Sequence, residues 1–134
     1  QILEGEPIEE DKRTDKDVQI AHFDVNNATG KYTDKMNEFD AFIQIEHGYA
    51  ELMRYMRKEH SSLSFFVGGD NVISVCSEMG EKEYGKAIDH VQQEVDVELK
   101  VGVGRGKLAQ NAGMAAKHAL ERCREDSTRI EFEY

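Results

Sequence analysis

Leu63-Ser64-Phe65-Phe66-Val67-Gly68-Gly69-Asp70-Asn71-Val72-Ile73-Ser74-Val75-Cys76 is the stretch that decides the fold. Two apolar runs rich in aromatic and β-branched residues flank a Gly-Gly-Asp-Asn turn, the pattern of a β-hairpin. Gly68 and Gly69 permit a tight turn and let a large anion approach the main chain without a Cβ in its way. Asp70, at the tip, puts a carboxylate where it can leave the sheet and meet a metal. Upstream, Val18-Gln19-Ile20-Ala21-His22-Phe23 reads as another strand, closed by Asp24. Two strand-end acids beside a glycine hairpin suggest a metal-nucleotide site; the plainer alternative is a hairpin with a solvated aspartate.

Working outward, residues 26–37 are rich in turn formers and read as a loop, with Asn37 able to cap a following helix and Asp40 in its first turn. That helix is predicted from about Glu38 to His60, with Phe39, Phe42, Ile43, Tyr49, Ala50, Met53 and Met56 as its buried stripe. A second, near Glu81–Val95, repeats Tyr84, Ala87, Ile88, Val91 and Val95 at helical spacing. Residues 98–104 alternate as a half-buried strand, and its glycines read mainly as strand end and turn. A third helix, about Leu108–Arg124, gathers Leu108, Ala112, Ala115, Ala116, Ala119 and Cys123 on a small-residue face suited to close packing on a sheet. Residues 128–133 make a last strand.

The order is βαββαβ followed by αβ. This implies an α+β chain with a ferredoxin-like or palm core, an antiparallel sheet with helices packed on it, and an additional C-terminal helix and strand. In that topology the first strand is central and lies beside the hairpin. Asp24 and Asp70 are then expected at the same edge of the sheet.

At 134 residues the chain fits one domain, expected at 18–134, behind a charged linker or tail at 1–17. Net charge is −10, from 27 acids against 17 bases with no basic stripe, which argues against nucleic acid as a partner. No apolar run approaches the ~20 residues of a membrane span, so no membrane association is expected. Cys76 and Cys123 fall in apolar surroundings, as reduced thiols of a cytoplasmic protein do. The chain opens on Gln1 rather than Met, which suggests a piece of a longer protein.

Arg105, Lys107 and Lys117 are candidates for a phosphate clamp around a triphosphate. Gly102-Val103-Gly104-Arg105-Gly106-Lys107 is similar to a phosphate loop but lacks the P-loop spacing. Five scattered histidines show no zinc spacing. His22, two residues before Asp24, shares its side of the strand and reads as a core or supporting residue.

Asp24, Gly68-Gly69-Asp70-Asn71 and Ala109-x-x-Ala112-x-x-x-Ala116-Lys117 together resemble the palm domains of GGDEF nucleotidyl cyclases. That resemblance implies metal binding by Asp24, Asp70 and the Val25 carbonyl, and phosphate binding by Gly68, Gly69 and Lys117. Asn71 stands where the cyclases carry a second acid, and no aromatic follows, so a plain diguanylate cyclase does not fit. His22 through Tyr32, Phe65 through Asn71, Val101 through Gly106 and Ala115 through Glu121 are similar to the C-terminal half of archaeal GTP cyclohydrolase III, a palm-like family with two such halves.

The family resemblance implies Mg2+-dependent hydrolytic opening of the GTP imidazole ring, with phosphate release to a formylaminopyrimidine nucleotide for riboflavin and deazaflavin synthesis. It makes Asp24 and Asp70 the catalytic acids, with Asn26, Asn27 and Asn71 as nucleotide-binding candidates. Mg2+ is the expected cofactor, with a monovalent cation as an optional addition. GTP, the missing N-terminal half and further copies in a homo-oligomer are the expected partners. The alternative is a nucleotide-binding or oligomerisation module without its own activity.

Overall fold

The computed structural model describes residues 17–27, 30, 32, 36–67 and 71–134. The predicted hairpin tip, Gly68, Gly69 and Asp70, lies outside the described residues, as do residues 1–16 of the predicted tail. The elements run β1 (Val18–Val25), α1 (Glu38–His60), β2 (Leu63–Val67), β3 (Asn71–Cys76), α2 (Glu81–Val95), β4 (Leu99–Gly106), α3 (Ala109–Asp126) and β5 (Ile130–Glu133). The strands form one sheet in the order β2-β3-β1-β4-β5. β1 is central as expected, antiparallel to both β3 and β4. The last pair departs from the antiparallel expectation: β5 runs parallel to β4. A helix lies between them, and a helical crossover returns the chain in the same direction.

Alternation along the strands divides the core. Ala21, Phe23, Val72, Leu99, Val101 and Val103 face α1 and α2, meeting Tyr49, Leu52, Met56, Tyr84 and Ile88 in one cluster. Ile20, on the opposite face, packs against Ala112 and Ala116 of α3. The sheet is therefore a middle layer with two helices on one side and one on the other.

β4 is covered on both faces rather than half-buried; Gly102 and Gly104 lie mid-strand, while Gly106 stands at its end. The positions where Gly102 and Gly104 would carry a Cβ are already filled by the backbone of α3 at Ala116, Leu120 and Ala112. Missing side chains are what let α3 sit so close. Its buried face is Ala112, Ala116, Ala119, Leu120 and Cys123, while Leu108 precedes the helix and is exposed.

The α2 stripe is buried as expected, at Tyr84, Ala87, Ile88, Val91 and Val95. The α1 stripe is rotated from the expected one: Ala41, Gly48, Tyr49, Leu52 and Met56 are buried, whereas Phe39, Phe42 and Ile43 are more than 60 % exposed. The first turns of α1 stand beside an open cleft, not over the sheet. Asn37 caps the helix, its side-chain oxygen accepting the Asp40 N–H at 2.9 Å. Such a cap is worth about 1 kcal/mol.

Candidate functional site

Asp24 lies one residue before the end of β1, on the face that carries α3. Strand alternation puts His22 on the same face, and the antiparallel register sets Lys100 of β4 directly opposite Asp24. One carboxylate oxygen, Oδ1, accepts the Val25 N–H at 2.8 Å. The other, Oδ2, is held by Arg124 Nη2 from the last turns of α3 at 2.6 Å. Asp24 is 21 % exposed and Arg124 46 %. The acid chosen from the sequence thus has one oxygen ordering the strand end and the other on a cation.

His22 fills the space behind this pair. Its Nε2 is buried and makes no hydrogen bond of ordinary geometry to a described residue. Burial pulls the imidazole below its usual 6.5, against the opposing influence of Asp24 and of the neighbouring Asn71 side chain; the Arg124 and Lys117 cations reinforce the lowering. A neutral ring at pH 7 follows. Asp24, His22, Asn71 and Lys117 are therefore gathered in one electrostatic neighbourhood.

A cleft of about 540 Å³ opens from Asp24 towards α1. Val25, Met36, Phe42 and Ile45 give it an apolar wall, and Asn27 and Glu38 bring polar groups to its rim. A second cleft, about 390 Å³, lies around the other side of the strand end, where Lys100, Arg124, Asn26 and Ser127 converge. Both include Val25 and Asn27, so they meet at the end of β1.

The described residues after β1 are braced against one another and against the residues just before β4. Asn27 Oδ1 accepts the Tyr32 N–H at 3.2 Å. The Tyr32 hydroxyl donates to the Asp96 carbonyl at 3.3 Å and accepts the Glu98 N–H at 2.9 Å. The Asn26 N–H bonds the Glu98 carbonyl at 2.7 Å. The bond to Tyr32 gives Asn27 a bracing role.

Two members of the expected phosphate clamp belong elsewhere. Arg105 and Gly106 pair with Gln19 and Val18, at the end of β1 remote from Asp24. Arg105 there bonds Glu78 at 3.0 Å and Lys107 pairs with Asp17 at 3.1 Å. Lys117 alone of the three is near the site. The hairpin residues Gly68, Gly69 and Asp70 lie outside the described residues; Asn71 begins β3 on the site's face.

The sequence reading missed Arg124, Lys100 and Glu38. Arg124 falls seven residues after Lys117, two turns along the same helix face, a spacing that could have marked it. Lys100 is placed by strand register, which the sequence does not display.

Asp24 can act as an anionic ligand, and its Oδ2 already carries a cation in the form of the Arg124 guanidinium. That donor chemistry fits Mg2+, which takes one or two carboxylates together with phosphate oxygens and water. Among the described residues, no group of three His, Cys, Asp or Glu side chains is arranged around a common metal position. No helix among them is long and apolar enough to cross a membrane.

A family model described as GTP cyclohydrolase III matches residues 3–132. The GTP cyclohydrolase III of Natronomonas pharaonis is 68 % identical over 98 % of this chain and 52 % of that protein. That of Halorubrum lacusprofundi is 54 % identical over 98 % and 51 %, and that of Methanococcus maripaludis (strain C5) 38 % over 83 % and 41 %. The chain thus spans about half the length of the curated relatives it matches. Among solved structures, the active GGEEF domain of a Vibrio cholerae diguanylate cyclase superposes with a TM-score of 0.63 at 13 % identity, over 89 % of this chain and 84 % of that one. A bacterial light-regulated adenylyl cyclase gives 0.61 at 15 %, over 87 % and 75 %. At such identities the likeness concerns the fold: a mixed α+β, palm-like sheet.

Proposed function

The chain belongs to the GTP cyclohydrolase III family, and on that premise we propose that the end of β1 binds Mg2+-GTP as one half, the C-terminal one, of a two-domain enzyme that opens the guanine imidazole ring. The observation that carries this reading is the meeting of two clefts at the end of β1, where they share Val25 and Asn27 and one of them is lined by Asp24. One is apolar-walled and roomy enough for a purine; the other is lined by Lys100 and Arg124 and suits an anion. A nucleotide carries an apolar base and an anionic tail, so adjoining surfaces of these two kinds suit it.

Asp24 and the Val25 carbonyl would hold the metal, with Asp70 as a further acid. Mg2+, when bound, supplies charge neutralisation of the triphosphate and Lewis acidity for water. Phe42 and Ile45 bury the purine face and exclude water from it. Glu38, a carboxylate at the rim of the apolar cleft, can accept the two N–H groups on guanine's Watson–Crick edge. Lys117 and Arg124 offset phosphate charge, and the neutral His22 ring supports Asp24 without competing for it. In the reaction, water adds at the carbon between the two imidazole nitrogens and one ring C–N bond opens. This leaves a formylamino group, and two further waters cleave the two phosphoanhydride bonds to release two phosphates. Two free thiols fit a cytoplasmic setting.

A partner surface is supported separately. Leu63, Phe65 and Val75 share one sheet face at the β2 edge and are 46–56 % exposed, suiting them to the other half or to another copy. Incubation of Mg2+-GTP with this chain alone, and with the chain joined to the other half, tests the function, with mass detection of the formylaminopyrimidine nucleotide. Turnover requiring the joined protein supports the reading. Binding without turnover in either would reduce the domain to a nucleotide-binding module.

A further inference from the structure

Resting on that reading of Asp24, we infer that Arg124 is an exchangeable counter-ion: it occupies the metal-binding oxygen of Asp24 in the nucleotide-free protein and passes to the polyphosphate when Mg2+-nucleotide binds. Three observations lead there. Asp24 Oδ1 is tied to the backbone by the Val25 N–H, whereas Oδ2 is held only by a side chain, Arg124 Nη2 at 2.6 Å, which a metal can displace. Arg124 is 46 % exposed, on the last turns of α3, with room for its long side chain to turn aside. The cleft it lines also holds Lys100, Asn26 and Ser127, so it turns from the carboxylate into a cationic, donor-rich space.

The electrostatics favour exchange over sharing. A guanidinium and a divalent cation crowded onto one carboxylate oxygen repel each other. Adding an anion between them reverses the sign. A phosphate group bound beside both would satisfy the two cations, and the planar guanidinium matches phosphate geometry. Metal alone must therefore displace Arg124 uncompensated. Metal arriving with a triphosphate gives the displaced guanidinium a new partner. Arg124 thus discriminates against empty metal binding and couples occupancy of the metal position to that of the phosphate cleft.

Calorimetric titration separates the two roles, because they have opposite signs. The probes are Mg2+ alone and Mg2+ with a GTP analogue carrying an imido β–γ bridge. They are titrated into the 134-residue chain and its Arg124→Ala and Arg124→Lys variants, with thermal unfolding confirming that each is folded. Arg124→Ala should tighten binding of Mg2+ alone about three- to fivefold, the scale of a half-exposed ion pair. It should weaken Mg2+-nucleotide binding about tenfold, the scale of a lost charged contact. Arg124→Lys should recover part of the nucleotide affinity. Loss of both affinities together, or no change in either, overturns the exchange while leaving the Asp24 site standing. A wild-type chain that binds neither probe removes the site itself.

Discussion

Two glycines at the interface between α3 and the sheet should respond to the same substitution with opposite signs. In Gly104→Ala the new methyl would meet Ala112 O, Ala116 N and, at 2.8 Å, Ala115 C. These are helix backbone atoms, which cannot rotate away, so the whole of α3 must lift. Overpacking of a core costs about 1–3 kcal/mol where side chains can adjust; backbone on both sides puts this case at about 3 kcal/mol or more. In Gly113→Ala the nearest atom to the new methyl is Ile20 Cδ1 at 3.9 Å, an ordinary contact. There the helix gains alanine's propensity, about 0.5–1 kcal/mol. For a domain of this size Tm should fall by at least about 10 °C in the first variant and rise by about 2–4 °C in the second. Thermal and urea unfolding measure both. Shifts of the same sign, or a Gly104→Ala protein within a degree or two of wild type, would refute the close approach of α3 that brings Lys117 and Arg124 to Asp24.

Glu38→Gln should weaken GTP binding about tenfold, the scale of a charged hydrogen bond. It should also erode preference for GTP over ITP, whose base lacks the 2-amino group; competitive titration reads both. Glu51 bonds Arg54 and His90, which hold its carboxyl below the usual 4.5, Arg54 having the larger effect. Since the folded value is the lower one, this stabilisation is present above pH 4.5 and lost as pH falls through the folded value. Glu51→Gln should then cost under about 1 kcal/mol at pH 7 and make the acid limb of the urea-midpoint profile shallower. Burial raises the Cys76 and Cys123 thiols, so iodoacetamide should modify both slowly at pH 8 until denaturant opens the fold.

Some features were legible because one physical cause dominated. The α2 stripe was read correctly since apolar spacing and packing coincide along its length. The first turns of α1 misled because periodicity counts apolar residues whether or not a sheet lies beneath them; Phe39 and Ile43 face outward and Phe42 lines a cleft. Gly102 and Gly104 misled because glycine serves both turns and close packing, and only the position of α3 tells the two apart. Asp24 was visible as an acid closing an apolar strand. Arg124 reaches it across 100 residues of chain, through a register and a helix crossing that no local pattern encodes. Lys107 and Arg105 were plausible by composition, yet strand direction carries them to the other end of the sheet.

The most direct test of the site is titration of GTP into this chain with and without Mg2+, beside Asp24→Asn. If the end of β1 is a metal-nucleotide site, binding requires Mg2+ and falls at least about tenfold in the variant, as expected when a charged ligand group is removed. Binding that ignores Mg2+, or survives in folded Asp24→Asn, would contradict it.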